Sequence, residues 1–245
     1  MPRATIPPVL RAEGESISAT TTDKYFQKPA WAQELQLIAV SESLLQFSPI
    51  LKAAYKYVAI GTTYTDILPN IVDRLSTSTS AVNSLVAVTD FIYLFSDQKF
   101  NHLYLDLTNL NTTATSVVTG KYRKNDDTWA AISLTDGTVA GGIAFAQDGA
   151  ISWTSPGDEG KISPFSLTGV GSTVPMYAIQ ISPSVADFDA TVSIAACTLG
   201  PDHTLDLYLP AATVMSFNVE RSGGIVVSHA TSGNVRVNWL QYDGE

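Results

Sequence analysis

From Trp31 onward, apolar and polar residues alternate at period two along most of the chain, the pattern of strands with a covered face. In "ELQLIAV", Leu35, Leu37 and Ala39 share one face, while Ile38 and Val40 leave the other partly apolar. "KAAYKYVAIG" groups Ala53, Tyr55, Tyr57 and Ala59. Residues 85–107, "LVAVTDFIYLFSDQKFNHLYLDL", read as two aromatic-rich strands around "SDQKF". Further strands are predicted at "ATSVVTGKY", "TWAAISL", "GGIAFAQDGAISW", "MYAIQIS" and "ATVSIAAC". Four more follow at "TLDLYLP", "VMSFNVE", "GIVVSHA" and "NVRVNWLQYD". Only "LPNIVDRLSTSTSAVNSL" has a helical spacing, through Leu68, Ile71 and Leu75, and that helix would be short.

Strands punctuated by frequent turns, without long amphipathic helices, predict an all-β fold. The expected architecture is an antiparallel β-sandwich or jelly-roll-like central domain over residues 85–198. Residues 31–84 would supply strands and a short helix that pack with C-terminal strands over 199–245, and "LGPDHT" would mark the boundary. Residues 1–30 differ. Pro2, Pro7, Pro8 and Pro29 punctuate a polar stretch with neither helical nor strand period. From sequence that stretch is either a disordered tail or an extended arm lying across a neighbouring subunit; the arm is the expectation, with Pro7, Pro8, Leu10, Tyr25 and Phe26 as its partner-binding residues.

Composition narrows the partners. Charged residues are 15% of the 245, against about 25% in an average globular protein. Such a surface is either neutral or partly covered by neighbours. A net charge of −9 argues against nucleic acid, because phosphate contacts need concentrated Lys and Arg. No apolar run reaches the roughly 18 residues of a membrane span, and "MPRATIPPVLRAEGES" has no signal-peptide core. The expectation is a protein without a membrane partner, made in a host cytoplasm. Cys197, the single cysteine, lies in the apolar run "VSIAAC" and reads as a buried structural thiol.

The candidate chemistry centres on "KYRKNDDTWAAISLTDGT", where Asp126, Asp127 and Asp136 flank Trp129. Calcium loops place oxygen ligands at alternate positions around a glycine and end on Glu, and this stretch lacks that spacing. "KNDD" instead reads as a hairpin loop, with Trp129 returning roughly opposite Tyr122, and "TDGT" as a second turn. The two turns should stand about 20 Å apart, too far for their carboxylates to share one atom. His102, His203 and His229 have no paired spacing, and no GxSxG, HExxH or Walker sequence occurs. No catalytic residue, metal ligand or cofactor is therefore expected. A glycosidase pair of carboxylates from separate turns stays open as a minor alternative. Trp129 and Trp153 could form a ligand platform, although sandwich cores also use tryptophan heavily.

The order of elements in "FIYLFSDQKFNHLYLDLTNLNTTATSVVTGKYRKNDDTWAAISLTDGTVAGGIAFAQDGAISWTSP" resembles structural proteins of tailed bacteriophages. The shared features are the polar turn before "LYLDL", the Tyr–Trp hairpin, the "DGT" turn, the strand ending at Trp153, and a later strand from Tyr177 to Ile181. "SPGDEGKISPF" lacks the second tryptophan of that pattern. The resemblance covers residues 85–195 and implies a β-sandwich building block of a virion without catalytic residues to carry over. The leading expectation is a non-enzymatic capsid decoration or cement protein that binds the major capsid protein or other virion proteins. It would act as a homo-oligomer, trimeric or otherwise cyclic. The alternatives are a tail, baseplate or host-adsorption component, and a carbohydrate-binding β-sandwich module.

Overall fold

The computed structural model describes residues 9–19, 24–59, 61–72, 80–81, 85, 89–112, 116–183, 188, 192–202, 207–228 and 233–242. The chain is all-β, and its strands form four antiparallel sheets in two compact units. Residues 1–47 and 204–245 make the first unit, and residues 48–203 the second.

The first unit begins with β1 (Val9–Ala19), β2 (Lys24–Gln27), β3 (Glu34–Ala39) and β4 (Ser43–Ser48). The second contains β5 (Ala53–Val58), β6 (Thr63–Asp66), the helix α1 (Leu68–Ile71), β7 (Ser80–Ala81), β8 (Phe91–Ser96) and β9 (Phe100–Asn109). It continues through β10 (Val118–Arg123), β11 (Trp129–Ile132), β12 (Thr135–Asp136), β13 (Gly149–Ser152) and β14 (Lys161–Ile162). The helix α2 (Pro164–Thr168), β15 (Met176–Pro183) and β16 (Ser193–Pro201) complete it. The chain returns to the first unit as β17 (Leu207–Leu209), β18 (Thr213–Asn218), β19 (Gly224–Ser228) and β20 (Gly233–Tyr242).

In the first unit, one sheet has the order β1-β20-β3-β18 and the other β17-β4-β19-β2. Period-two alternation puts Leu35, Leu37 and Ala39 of β3 and Val235, Val237 and Trp239 of β20 on one face. They form one core with Phe26, Leu45, Leu209, Ile225 and Val227 from the second sheet. In the second unit, one sheet runs β11-β10-β15-β8-β5-β6, with β14 also on β15, and the other β12-β13-β9-β16-β7. Ile92, Leu94, Ile179 and Ile181 of the first meet Leu103, Leu105, Ile151, Cys197 and Leu199 of the second in a common core. β8 and β9 flank "SDQKF" as the sequence predicts, but each joins a different sheet, so that turn is an arch across the sandwich rather than a hairpin.

Two expectations are corrected. Residues 9–19 are not an arm on a neighbour: they form β1 and pair with β20 from Val9↔Tyr242 to Ala19↔Gly233. The alternation there was masked by small polar residues, so period alone could not reveal a strand at a sheet edge. The partition falls after Phe47 rather than at residue 84, because β5 pairs with β8. Of the expected short helix the structure describes α1, with Leu68 and Ile71, and Leu75 lies outside the described residues.

Cys197 is fully buried on β16, and burial pushes its thiol up to about 12. The native chain is expected not to react with Ellman's reagent, whereas one thiol should be released after denaturation in guanidinium. Rapid native labelling would contradict this placement.

Candidate functional site

The aspartates of "KYRKNDDTWAAISLTDGT" are consumed locally. Asp126 Oδ1 accepts hydrogen bonds from the Thr128 N–H (3.1 Å) and hydroxyl (2.6 Å). Asp136 Oδ1 does the same with Thr138, at 2.8 and 2.6 Å. Each carboxylate closes an Asp-x-Thr turn, which fixes backbone donors that a strand end leaves open. The Thr128 hydroxyl, then Lys124 and the Thr128 N–H, hold the Asp126 carboxyl at about 2. Asp127 adopts φ 66°, a left-handed position that Asp tolerates, and pairs with Arg123 at 3.0 Å. The two turns serve different sheets, since β11 pairs with β10 and β12 with β13. Among the described residues, no group of three or more His, Cys, Asp and Glu could hold a metal ion.

Another pair of carboxylates does converge. Ser155 Oγ donates toward Glu159 and lies 2.7 Å from Asp202 Oδ2, beside a cleft lined by Lys99, Phe100, Tyr122, Trp153 and Tyr177. A glycosidase would need one of these carboxyls kept protonated near neutral pH. Burial does work against ionisation of Glu159. It is outweighed by hydrogen bonds from Lys99 (2.9 Å), Ser155 and backbone N–H groups, which together hold this carboxyl at about 2. The arrangement suits a clamp that ties the 153–162 loop to the end of β16.

His102 is the described histidine. Its ring lies over Gly200 on the paired strand, where an added Cβ would stand 1.6 Å from Nε2. Burial, opposed in part by Asp202, lowers its pKa to about 4. Because the unfolded imidazole titrates at its ordinary 6.5, the unfolded chain takes up a proton between pH 6.5 and 4 that the native chain refuses. Stability from this group is therefore present above pH 6.5 and lost as pH falls toward 4. Between pH 7 and 4.5 the wild type should lose on the order of 2 kcal/mol more than His102→Gln in denaturant titrations. Parallel losses would contradict this. His203 and His229 lie outside the described residues.

The aromatic residues gather on the outer face of the β8 sheet. Phe91, Tyr93 and Phe95 alternate on β8, and register brings Tyr57 beside Phe91 and Tyr64 beside Tyr57. Ring centroids are 4.6 Å apart for Tyr57–Tyr64, 6.2 Å for Tyr57–Phe91 and 5.9 Å for Tyr93–Trp129. Such stacked and edge-on pairs add stability beyond area burial. Lys121 Nζ stands 5.9 Å from the Phe91 ring centre, and the Arg123 guanidinium 5.9 Å from that of Trp129. Leu167 of α2 packs on the same cluster, and Gly171 leaves room for the Tyr55 hydroxyl. Tyr57, Tyr64, Phe91 and Trp129 stay half-buried, with Lys121 exposed beside them. This face combines tyrosine, phenylalanine, tryptophan and Arg123, residue types enriched at protein interfaces.

Within the second unit, the two tryptophans expected as a platform are not brought together. Trp129 lies on this face because it pairs with Arg123, one residue from the expected Tyr122, and a one-residue shift changes the face. Trp153 is corrected to a core residue: it is 8% exposed and packs edge-on against Phe100 at 5.8 Å. Phe26 is likewise 4% exposed inside its own sandwich, which removes it as a partner contact, and Tyr25 beside it is half-buried. Leu10 occupies a position in β1, while Pro7 and Pro8 lie outside the described residues. The aromatic ladder itself was overlooked. Its sequence signal is "FIYLF", in which every second residue is aromatic, together with "YKY".

No family model matches the chain, and no curated protein matches it. Among solved structures, the chain is similar to "Structure of infectious bursal disease virus Gx strain" at 10% identity, over 98% of this chain and 84% of that one. The TM-score is 0.17, and a likeness at that level carries no argument.

Proposed function

We propose that the chain is a non-enzymatic structural protein of a tailed-bacteriophage virion, a decoration protein that stabilises the shell by burying area against the major capsid protein or its neighbours. One observation carries this reading. The segment that resembles phage structural proteins, residues 85–195, lies within the sandwich of the second unit, whose outer sheet presents half-buried aromatics beside Lys121. Among the described residues of that segment, the carboxylates of Asp126, Asp136 and Glu159 are engaged in turns and a clamp. With residues 9–19 held in their own sheet, this reading places attachment on this face rather than on β1. Specific interfaces of this kind bury roughly 1,200–2,000 Å² in total. The carbohydrate-binding alternative loses Trp153, and Arg123 covers the ring of Trp129.

The test is retention of particles. Tagged chain on a resin should deplete intact virions from a lysate of the phage that encodes it. The double variant Trp129→Ala/Lys121→Glu should retain at least tenfold fewer. Virions that pass freely through the wild-type column would overturn the reading.

A further inference from the structure

Residues 207–218, "LYLPAATVMSFN", contain no charged side chain, in a protein whose net charge is −9. They form β17, a tight connection and β18, the strands at the edge of each sheet of the first unit on one side of the sandwich. Soluble proteins ordinarily blunt such edges with charges, proline inside the strand, or bulges. β18 has none of these. It pairs with β3 in unbroken register from Thr213↔Ala39 to Asn218↔Glu34. Its apolar residues are not hidden: Val214 is 60% exposed, and nearby Val40 is 61% and Tyr208 50% exposed.

We propose that the β18 edge is a self-pairing surface, to which a second copy of this chain adds its own β18 antiparallel across a two-fold axis through Ser216. The register follows from the pleat. Partners in an antiparallel ladder share a face, so residue numbers across the axis must sum to an even value. Centring on Ser216 opposes Met215 to Phe217 of the second copy on the core side, where both already pack against the core of the first unit. Val214 then faces Asn218 of the second copy on the outer side, and no like charges meet across the new seam. An uncharged strand is complementary to itself. The other charge-bearing edges of the unit, β1 with Arg11, Glu13 and Glu15 and β2 with Lys24, are not. The inference stands on the first unit alone and does not depend on the virion reading.

Sedimentation of the purified chain tests it without any particle. The wild type is expected at twice 26.2 kDa, and Ser216→Asp, which places two carboxylates opposite each other, at 26.2 kDa with an unchanged far-UV spectrum. Ser216→Cys should give an oxidant-dependent covalent dimer, because directly opposed Cα atoms about 4.5–5.5 Å apart suit a disulfide. Cys197 is buried and does not compete. A wild-type monomer at all concentrations, a trimer, or a dimer that survives Ser216→Asp and fails to cross-link through Ser216→Cys would each overturn the proposal. Should Ser216→Asp fail to fold, the wild-type mass and the cysteine cross-link still decide.

Discussion

Leu103→Ala is expected to lower the unfolding free energy of the second unit by about 3–4 kcal/mol, the largest effect of any single truncation considered for this chain. Leu103 is fully buried in β9, a strand flanked on both sides, with Ile151 opposite on β13 and Leu199 opposite on β16. All three point into the space between the two sheets. Removing three side-chain carbons there loses both transfer free energy and contacts around a cavity that paired neighbours on two strands cannot refill. Leu110, just beyond the same strand, is 44% exposed, and Leu110→Ala should change stability by less than about 0.5 kcal/mol. Urea titration followed by circular dichroism measures both. A cost below about 1 kcal/mol for Leu103→Ala would mean that β9 does not face the core described here.

The second large effect is backbone on backbone. Gly149→Ala would put a Cβ 2.2 Å from the Gly137 carbonyl oxygen and 2.8 Å from the Thr138 nitrogen. A methyl group at Gly137 would likewise stand 2.7 Å from the Ala150 carbonyl oxygen. The chain at the "TDGT" turn and at the start of β13 thus approaches so closely that neither position admits a side chain. No flexible side chain can yield, so Gly149→Ala is expected to cost about 3 kcal/mol, the upper end for overpacking. Gly157→Ala is the control. It sits at φ 86° in open space, so only left-handed strain of roughly 1–2 kcal/mol applies. If Gly149→Ala proves cheaper than Gly157→Ala, the packing of this turn is wrong.

These glycines show how far the sequence could be read. "TDGT" was legible as a turn because Asp and Gly have local chemistry that acts within two or three residues, whereas "GGIAFAQDGAISW" reads as one strand although only Gly149–Ser152 of it forms β13. The pairing of the two stretches was not legible, since a close approach between residues 137 and 149 leaves no local mark. The same divide runs through the rest of the chain. Leu35, Leu37 and Ala39 announced a buried face because one core decides every second residue of β3. The position of Trp129 depended on hairpin register. Five residues, 124–128, separate the paired strands, with Lys124 N–H bonded to the Thr128 carbonyl around a turn that ends on left-handed Asp127, and this sets Arg123 rather than Tyr122 opposite the tryptophan. Placing the tryptophan on the outer face is what completes the aromatic ladder. The convergence of Glu159 and Asp202 on Ser155 joins residues 47 positions apart at its widest, beyond any pattern along the chain. β1 was hidden for a different reason. An edge strand with Ser, Gly and Glu among its residues carries little hydrophobic period, and what holds it is pairing with β20 at the far end of the chain.

Reconstruction of purified virions by electron cryomicroscopy is the most direct test of the central claim. The account predicts many copies of this two-sandwich chain on the outer shell lattice, with the aromatic face of the second unit against the capsid. Density confined to a few copies on the tail, or particles that lack the chain altogether, would contradict it.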